Sequence, residues 1–419
     1  MNFQQGLSGL NATSKSLEVT GNNIANAGTF GAKAGRAEFA DLYANALGTT
    51  SNNNVGIGVQ VETVTQQFSQ GTIVSTSNMM DVAINGNGFF QLKDGNGELV
   101  YSRNGQFQVN RDGYIVTSSG QRLQGYQADE AGTVATGVRS DLKLSLTGVK
   151  PQVTDRIDMA LNLDSRGKVT RPAAGGIDFK DPTTYNNATS VEVFDPQGKP
   201  VSVSYYFQKA DRDQWNVYAE VGDVPLNGTV ASPQPLLAGL TFDAGGLNPK
   251  VGGVPLAKTT LPDIPASDSN GLIHGIVADF SQSTQFGTTF SVTAVSQNGF
   301  APGQFTSLTI EDDGIVTARY TNGLTQPAGQ LELASFRNPQ GLKSLGGNGW
   351  MSTMQAGDPV TGVPGAGTLG AVQSGALEES NVDLTGELVN LMTSQRLYQA
   401  NAQTIKTQDS VLQTLVSMR

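Results

Sequence analysis

SNVDLTGELVNLMTSQRLYQANAQTIKTQDSVLQTLVSM, residues 380–418, is the stretch whose reading decides the fold. Steps of four and three select Leu384, Leu388, Leu391, Gln395, Tyr398, Ala402, Ile405, Asp409, Leu412 and Val416, and eight of these ten are apolar. That is the narrow seam of a heptad repeat rather than a broad core-facing stripe. Ser380 and Asp383 are spaced as a capping box, which predicts a helix beginning about there. At ~1.5 Å per residue it would run for roughly 55 Å, and a helix that long with one apolar seam needs a partner.

The partner is predicted at the opposite end of the chain. Phe3, Leu7, Leu10, Ser14, Leu17, Gly21 and Ile24 follow the same step, five of the seven apolar, and Gly28 is placed to end that helix. Between them lie weak helix formers, Gly6, Ser8, Gly9, Asn11, Thr13, Thr20, Asn22 and Asn23, which cost about 0.5–1 kcal/mol each relative to Ala. Covering a large seam residue returns about 1.5–3 kcal/mol. The ends are therefore expected to pair as a coiled coil that many copies stabilise, the N-terminal helix being stable only when its seam is covered.

Composition narrows the class. The chain has 419 residues, 51 of them Gly, only 15% charged and no Cys. Its length suits two or three domains, and the Gly-rich, weakly charged mixture suits β domains with tight turns. Disulfides and thiolate metal sites are excluded. A net charge of −10 argues against nucleic acid. The charge is uneven: residues 1–40 and 380–419 together carry +1, leaving −11 for the interior. Near-neutral ends can pack together while acidic bodies stay solvated. The N-terminus lacks the basic and apolar regions of a secretory signal, and no run of ~18 apolar residues predicts a membrane span.

Periodicity and proline divide the middle. Residues 29–70 read as an extended or short-helical connector, returning through 371–379. Phe107 and Val109 alternate with Gln106 and Gln108 before the turn Arg111-Asp112-Gly113, a hairpin signal; Leu142, Leu144 and Leu146 alternate as another strand. None of the 17 prolines precedes Pro151, and twelve fall between Pro151 and Pro265. Strands at Val191/Val193, Val201–Phe207 and Trp215/Val217 predict a separate β domain over 151–296. Residues 71–150 and 297–370 then form one β-rich domain in two pieces. The predicted class is multidomain α+β, with terminal helices (1–28 and 380–419) followed by nested, discontinuous, mainly-β domains in an elongated arrangement.

No motif carries enzymatic chemistry or a cofactor. Gly365-Ala366-Gly367-Thr368-Leu369-Gly370 spells G-x-G-x-x-G, but prolines precede it and no βαβ unit surrounds it, so it reads as a linker. Asp94–Glu98 lacks the later ligands of a calcium loop and reads as a hairpin turn. Glu311-Asp312-Asp313 precedes Gly314 and reads as another. His274 is the only histidine, so no His pair can hold zinc.

The two ends carry a specific resemblance. GNNIANAGTFGAKAGRAEF (21–39) and SNVDLTGELVNLMTSQRLYQANAQTIKTQDSVLQTLVSMR (380–419) resemble the terminal signatures of bacterial flagellar rod and hook proteins. DVAINGNGFFQL (81–92), YSRNGQFQVNRDGYIVTSSGQRLQGY (101–126) and SQNGFAPGQ (296–304) resemble internal segments of the same family. One small departure is Gly31-Ala32-Lys33, where many relatives have a GFK-type step. The resemblance marks Asn22, Asn23, Asn26, Asn381, Asp383, Gln395, Arg396 and Asn401 as motif positions. The 151–296 insertion points to the hook members rather than the shorter distal rod members. The resemblance implies a subunit that polymerises into a curved, flexible tube, a universal joint between rod and filament. It also implies export through the flagellar type III apparatus to an extracellular location, with the distal rod, hook cap and hook–filament junction proteins as partners. An alternative reading is a secreted β-domain adhesin in which Trp215, Tyr218, Tyr205 and Tyr206 face a ligand.

Overall fold

In the computed structural model, residues 2–42, 58–129, 132–145, 148–170, 177–256, 258–265 and 272–417 are described. One helix stands at each end, α1 (Asn2–Ala25) and α2 (Leu384–Ser417), and the rest is mostly strand. The 34 residues of α2 span about 51 Å. Its cap corrects the expectation at 380–383. Asp383, not Ser380, is the N-cap: its Oδ1 accepts from Thr385 N at 3.1 Å and its carbonyl from Glu387 N at 2.9 Å. Ser380 makes a local turn instead, its Oγ accepting from Val382 N. Likewise α1 ends at Ala25, three residues before Gly28, because Asn26 folds back and donates Nδ2 to the Asn22 carbonyl at 2.9 Å. The left-handed residue of that corner is Gly31, at φ 71°.

The connector takes the extended of its two expected forms. Gly35–Leu42 pairs antiparallel with Gly58–Gln66 in a two-stranded ribbon with a bulge between Glu38 and Phe39. Alternating short polar and β-branched residues suit a pleat better than a helix. The segment 43–57 lies outside the described residues.

The chain divides into two compact units. The first comprises Met1–Leu146, Thr306–Arg319 and Thr325–Arg419. Its 13-stranded sheet runs from Phe305–Ile310 through Ile315–Tyr320, Thr325–Leu331, Arg122–Ala128, Phe89–Lys93, Leu99–Ser102 and Gly349–Met351 to Lys343–Gly346. An aromatic core of Phe89, Tyr101, Phe336 and Trp350 packs edge to face, with Phe68 of the connector 5.4 Å from Trp350 between ring centres. The hairpin signal at 106–116 corresponds to Phe107–Val109 paired with Ile115–Thr117. The strand expected at 142–146 is instead Val134–Asp141. Leu142 and Leu144 are buried just beyond it, and Lys143 makes a single bridge to Tyr114; Leu146 lies outside the described residues.

The second unit comprises Thr147–Phe305 and Tyr320–Leu324. Asn187–Phe194, Pro200–Asp211 and Gln214–Val221 form an antiparallel meander, and Arg156–Asn162 pairs with Ser291–Gln297. Val193, Val203, Tyr205, Phe207, Trp215 and Val217 fill one core between them. Tyr206 and Tyr218, on the opposite face of the meander, are buried with Ile177. All four aromatics of the adhesin reading are thus packed inside rather than on the surface.

The G-x-G-x-x-G stretch is a tight turn between Val360–Gly362 and Ala371–Ser374. Gly365 N donates to Gly370 O, and Gly370 N donates to Asn87 O. No helix opens at it.

Candidate assembly surface

The two helices lie antiparallel, and the contact is made by small and polar residues together with Ile405. A Cβ on Gly6 would lie 3.0 Å from Ile405 Cγ1, and one on Gly9 would lie 2.9 Å from Asn401 Nδ2. Asn401 Nδ2 donates to Thr13 Oγ1 at 3.3 Å, and the hydroxyls of Ser16 and Ser394 are 3.3 Å apart. Asn23 Nδ2 donates to Glu387 Oε1 at 3.2 Å. Gly9, Ser16 and Asn23 repeat every seven residues, as do Glu387, Ser394 and Asn401. Four of the weak helix formers of α1, Gly6, Gly9, Thr13 and Asn23, are thus where the other helix comes closest. Their signal, small residues in heptad register, is present in the sequence and lies beside the apolar one.

The apolar seams lie to one side of this contact, with Ile405 of the α2 seam at its edge against Gly6. With 3.6 residues per turn, the seam is displaced from the contact line by roughly 60° on α2 and roughly 100° on α1. On α2, Leu384, Leu388, Tyr398, Leu412 and Val416 are exposed, while Leu391, Ala402 and Ile405 are half-buried. On α1, Leu7 is 45% exposed and Leu10, Leu17 and Ile24 are half-buried. The side chain of Phe3 lies outside the described residues. Both helices are formed in the structure. A third side of α1 rests on the connector ribbon: Ser8 Oγ accepts from Val59 N at 3.3 Å, and Asn23 brackets Gly35, donating to its carbonyl and accepting from its N–H, both at 2.8 Å.

The motif residues divide by role. Asn381 joins the two ends of the chain: its Oδ1 accepts from Ala34 N at 2.8 Å, and its Nδ2 reaches Gln67 O at 2.7 Å and Ser69 Oγ at 2.8 Å. Asn23 is buried, Asn22 and Asn26 form the end of α1, and Asp383 caps α2. Gln395 and Arg396 are exposed.

A buried charge cluster was not foreseen. Glu378 receives Lys33 Nζ at 2.5 Å on one carboxylate oxygen and Arg103 at 3.0 Å on the other, with all three side chains at most 4% exposed. Gly71 N also donates to Glu378 Oε1 at 2.9 Å. Burial pushes both the Lys33 ammonium and the Arg103 guanidinium below their ordinary values, an effect the Glu378 carboxylate opposes.

Comparison with known proteins fits this geometry. Residues 3–33 match the flagella basal body rod protein family, and 83–172 match the flagellar hook protein FlgE/F/G D1 domain. Residues 162–300 match the flagellar basal body protein FlaE D2 domain, and 373–418 match the flagellar basal body rod FlgEFG protein C-terminal family. The flagellar hook protein FlgE of Salmonella typhimurium is 38% identical over 422 residues, covering 100% of both chains. That of Borreliella burgdorferi is 31% identical over 445 residues, covering 99% of this chain and 98% of the relative. A crystal structure of the Helicobacter pylori flagellar hook protein FlgE2 shares the fold with a TM-score of 0.53 at 14% identity, covering 73% of this chain and 100% of that one. With both signatures, both β segments and its whole length accounted for, this chain belongs to the flagellar hook protein family.

Proposed function

We propose that this chain is the structural subunit of a flagellar hook and polymerises through its terminal helices. The observation that carries the reading is the exposed part of the apolar heptad seams in the single chain, Leu7 on α1 and Leu384, Leu388, Tyr398, Leu412 and Val416 on α2, which neighbouring copies can cover. Within the tube the helices form an inner layer, and coiled-coil contacts run between copies along Leu7, Leu10, Leu17, Leu384, Leu388, Leu391, Tyr398, Ile405 and Leu412. The near-neutral ends favour that close packing and the acidic interior favours an outward, solvated body. The second β unit supplies shallow, Gly-rich contacts that slide as the tube bends, which suits a universal joint. Full-length similarity to hook relatives supports this over the shorter distal rod proteins. The distal rod, hook cap, junction proteins and type III export apparatus follow as partners, and the hook outside the cell as the location.

Electron microscopy of the purified protein tests this reading. Concentrated full-length chain is expected to form tubes, and chain lacking residues 380–419 none. Tubes of the same diameter and yield from the truncated chain would refute it.

A further inference from the structure

We propose that Lys33, Arg103 and Glu378 form a charge interlock that docks the N-terminal arm on the β body only when the C-terminal strand Ala376–Glu378 is seated. The three groups come from parts of the chain far apart: Lys33 from the corner after α1, Arg103 from the loop after Leu99–Ser102, and Glu378 from the strand that pairs with Ile73–Ser75. Two cations face one carboxylate, so the buried cluster carries an excess positive charge. Arg103 adds to the depression of the Lys33 ammonium, the mark of two like charges held close.

The carboxylate is what makes the site tolerable. Glu378 Oε1 takes Lys33 and Gly71 N, and Oε2 takes Arg103. Lys33 also donates to Ser69 O at 2.7 Å and Arg103 to Gly86 O at 3.0 Å, while Arg103 Nε has no partner among the described residues. The arm fits closely. Gly31 N donates to Glu378 O at 2.8 Å, and a Cβ on Gly31 would lie 2.6 Å from Asn104 N. Without Glu378, docking would press the Lys33 ammonium against Arg103 with no counter-charge, and an unpaired buried charge is strongly destabilising. With it, both cations are met at once. The corner after α1 and the strand before α2 therefore become ordered together, which prevents an incomplete chain from presenting a docked N-terminal helix. This inference concerns the folding of one chain and stands whether or not tubes form.

Limited trypsin digestion of full-length protein tests it, read at Arg36 in the connector ribbon. Glu378→Gln keeps the shape and removes the charge. Cleavage after Arg36 is expected to rise at least about tenfold, with Arg122, in the sheet strand Arg122–Ala128, still protected. The decisive variant is the double substitution Lys33→Met with Glu378→Gln, which removes one of the two opposed cations. The interlock predicts cleavage after Arg36 at least about threefold slower than in Glu378→Gln alone; a mere packing role predicts it as fast or faster. The proposal is overturned if Glu378→Gln leaves Arg36 within about twofold of the parent. It is also overturned if protection is lost equally at Arg36 and Arg122, or if the double variant is no slower than the single.

Discussion

Leu388→Asp is expected to abolish tube formation at concentrations where the parent chain assembles, while leaving the single subunit folded. Leu388 is 47% exposed in the single chain, so the substitution touches no established core, and its effect on subunit stability should stay within about 0.5 kcal/mol. In the polymer it loses the burial of a leucine, about 1.5–3 kcal/mol, and places a carboxylate in an apolar seam. Together these exceed about 3 kcal/mol per contact, at least roughly a hundredfold in the concentration needed for assembly. Sedimentation of polymer against total protein measures that concentration, and circular dichroism checks the fold. The same change at Leu384 or Leu412, also exposed on the seam, should act alike. Normal tubes from all three variants would show that the seam is not the assembly surface.

Trp215→Ala should destabilise the second β unit by about 3–5 kcal/mol, the usual range for truncating a buried tryptophan. Trp215 is fully buried among Val217, Phe207 and Leu240. For a unit of this size the loss corresponds to a fall of roughly 6–20 °C in its melting temperature. The chain offers a clean readout, because its two tryptophans are divided, Trp215 in the second unit and Trp350 in the first. Calorimetry follows the weakened unit, and the remaining Trp350 emission follows the other, whose transition is expected to stay put. A Trp350 transition that falls by the same amount would mean that the two units unfold as one.

Much of this architecture is legible in the sequence because it rests on local periodicity. The four-three spacing locates both helices, and alternation with turn residues locates the hairpins at 106–116 and 187–221. The cap of α2 was misplaced by three residues, since Ser380 and Asp383 are both plausible N-caps and only geometry separates them. The contact between the helices was hidden for a different reason. Gly6 and Gly9 have two physical meanings, low helix propensity and room for close approach, and the spacing of Leu and Ile draws attention to the louder pattern. The cluster of Lys33, Arg103 and Glu378 has no sequence signature, because its members lie 70 and 275 residues apart. The Asn381 staple is similar: the position stands out as a motif residue, but its partners are backbone groups of Ala34, Gln67 and Ser69 and the Ser69 hydroxyl, which form no side-chain pattern.

Side-chain footprinting with hydroxyl radicals, comparing dispersed subunits with assembled tubes, tests the central claim most directly. Leu384, Leu388, Tyr398 and Leu412 are expected to be labelled readily in subunits and protected at least about tenfold in tubes, while exposed Met354 serves as an internal reference. Equal labelling of those four positions in both states would contradict the account.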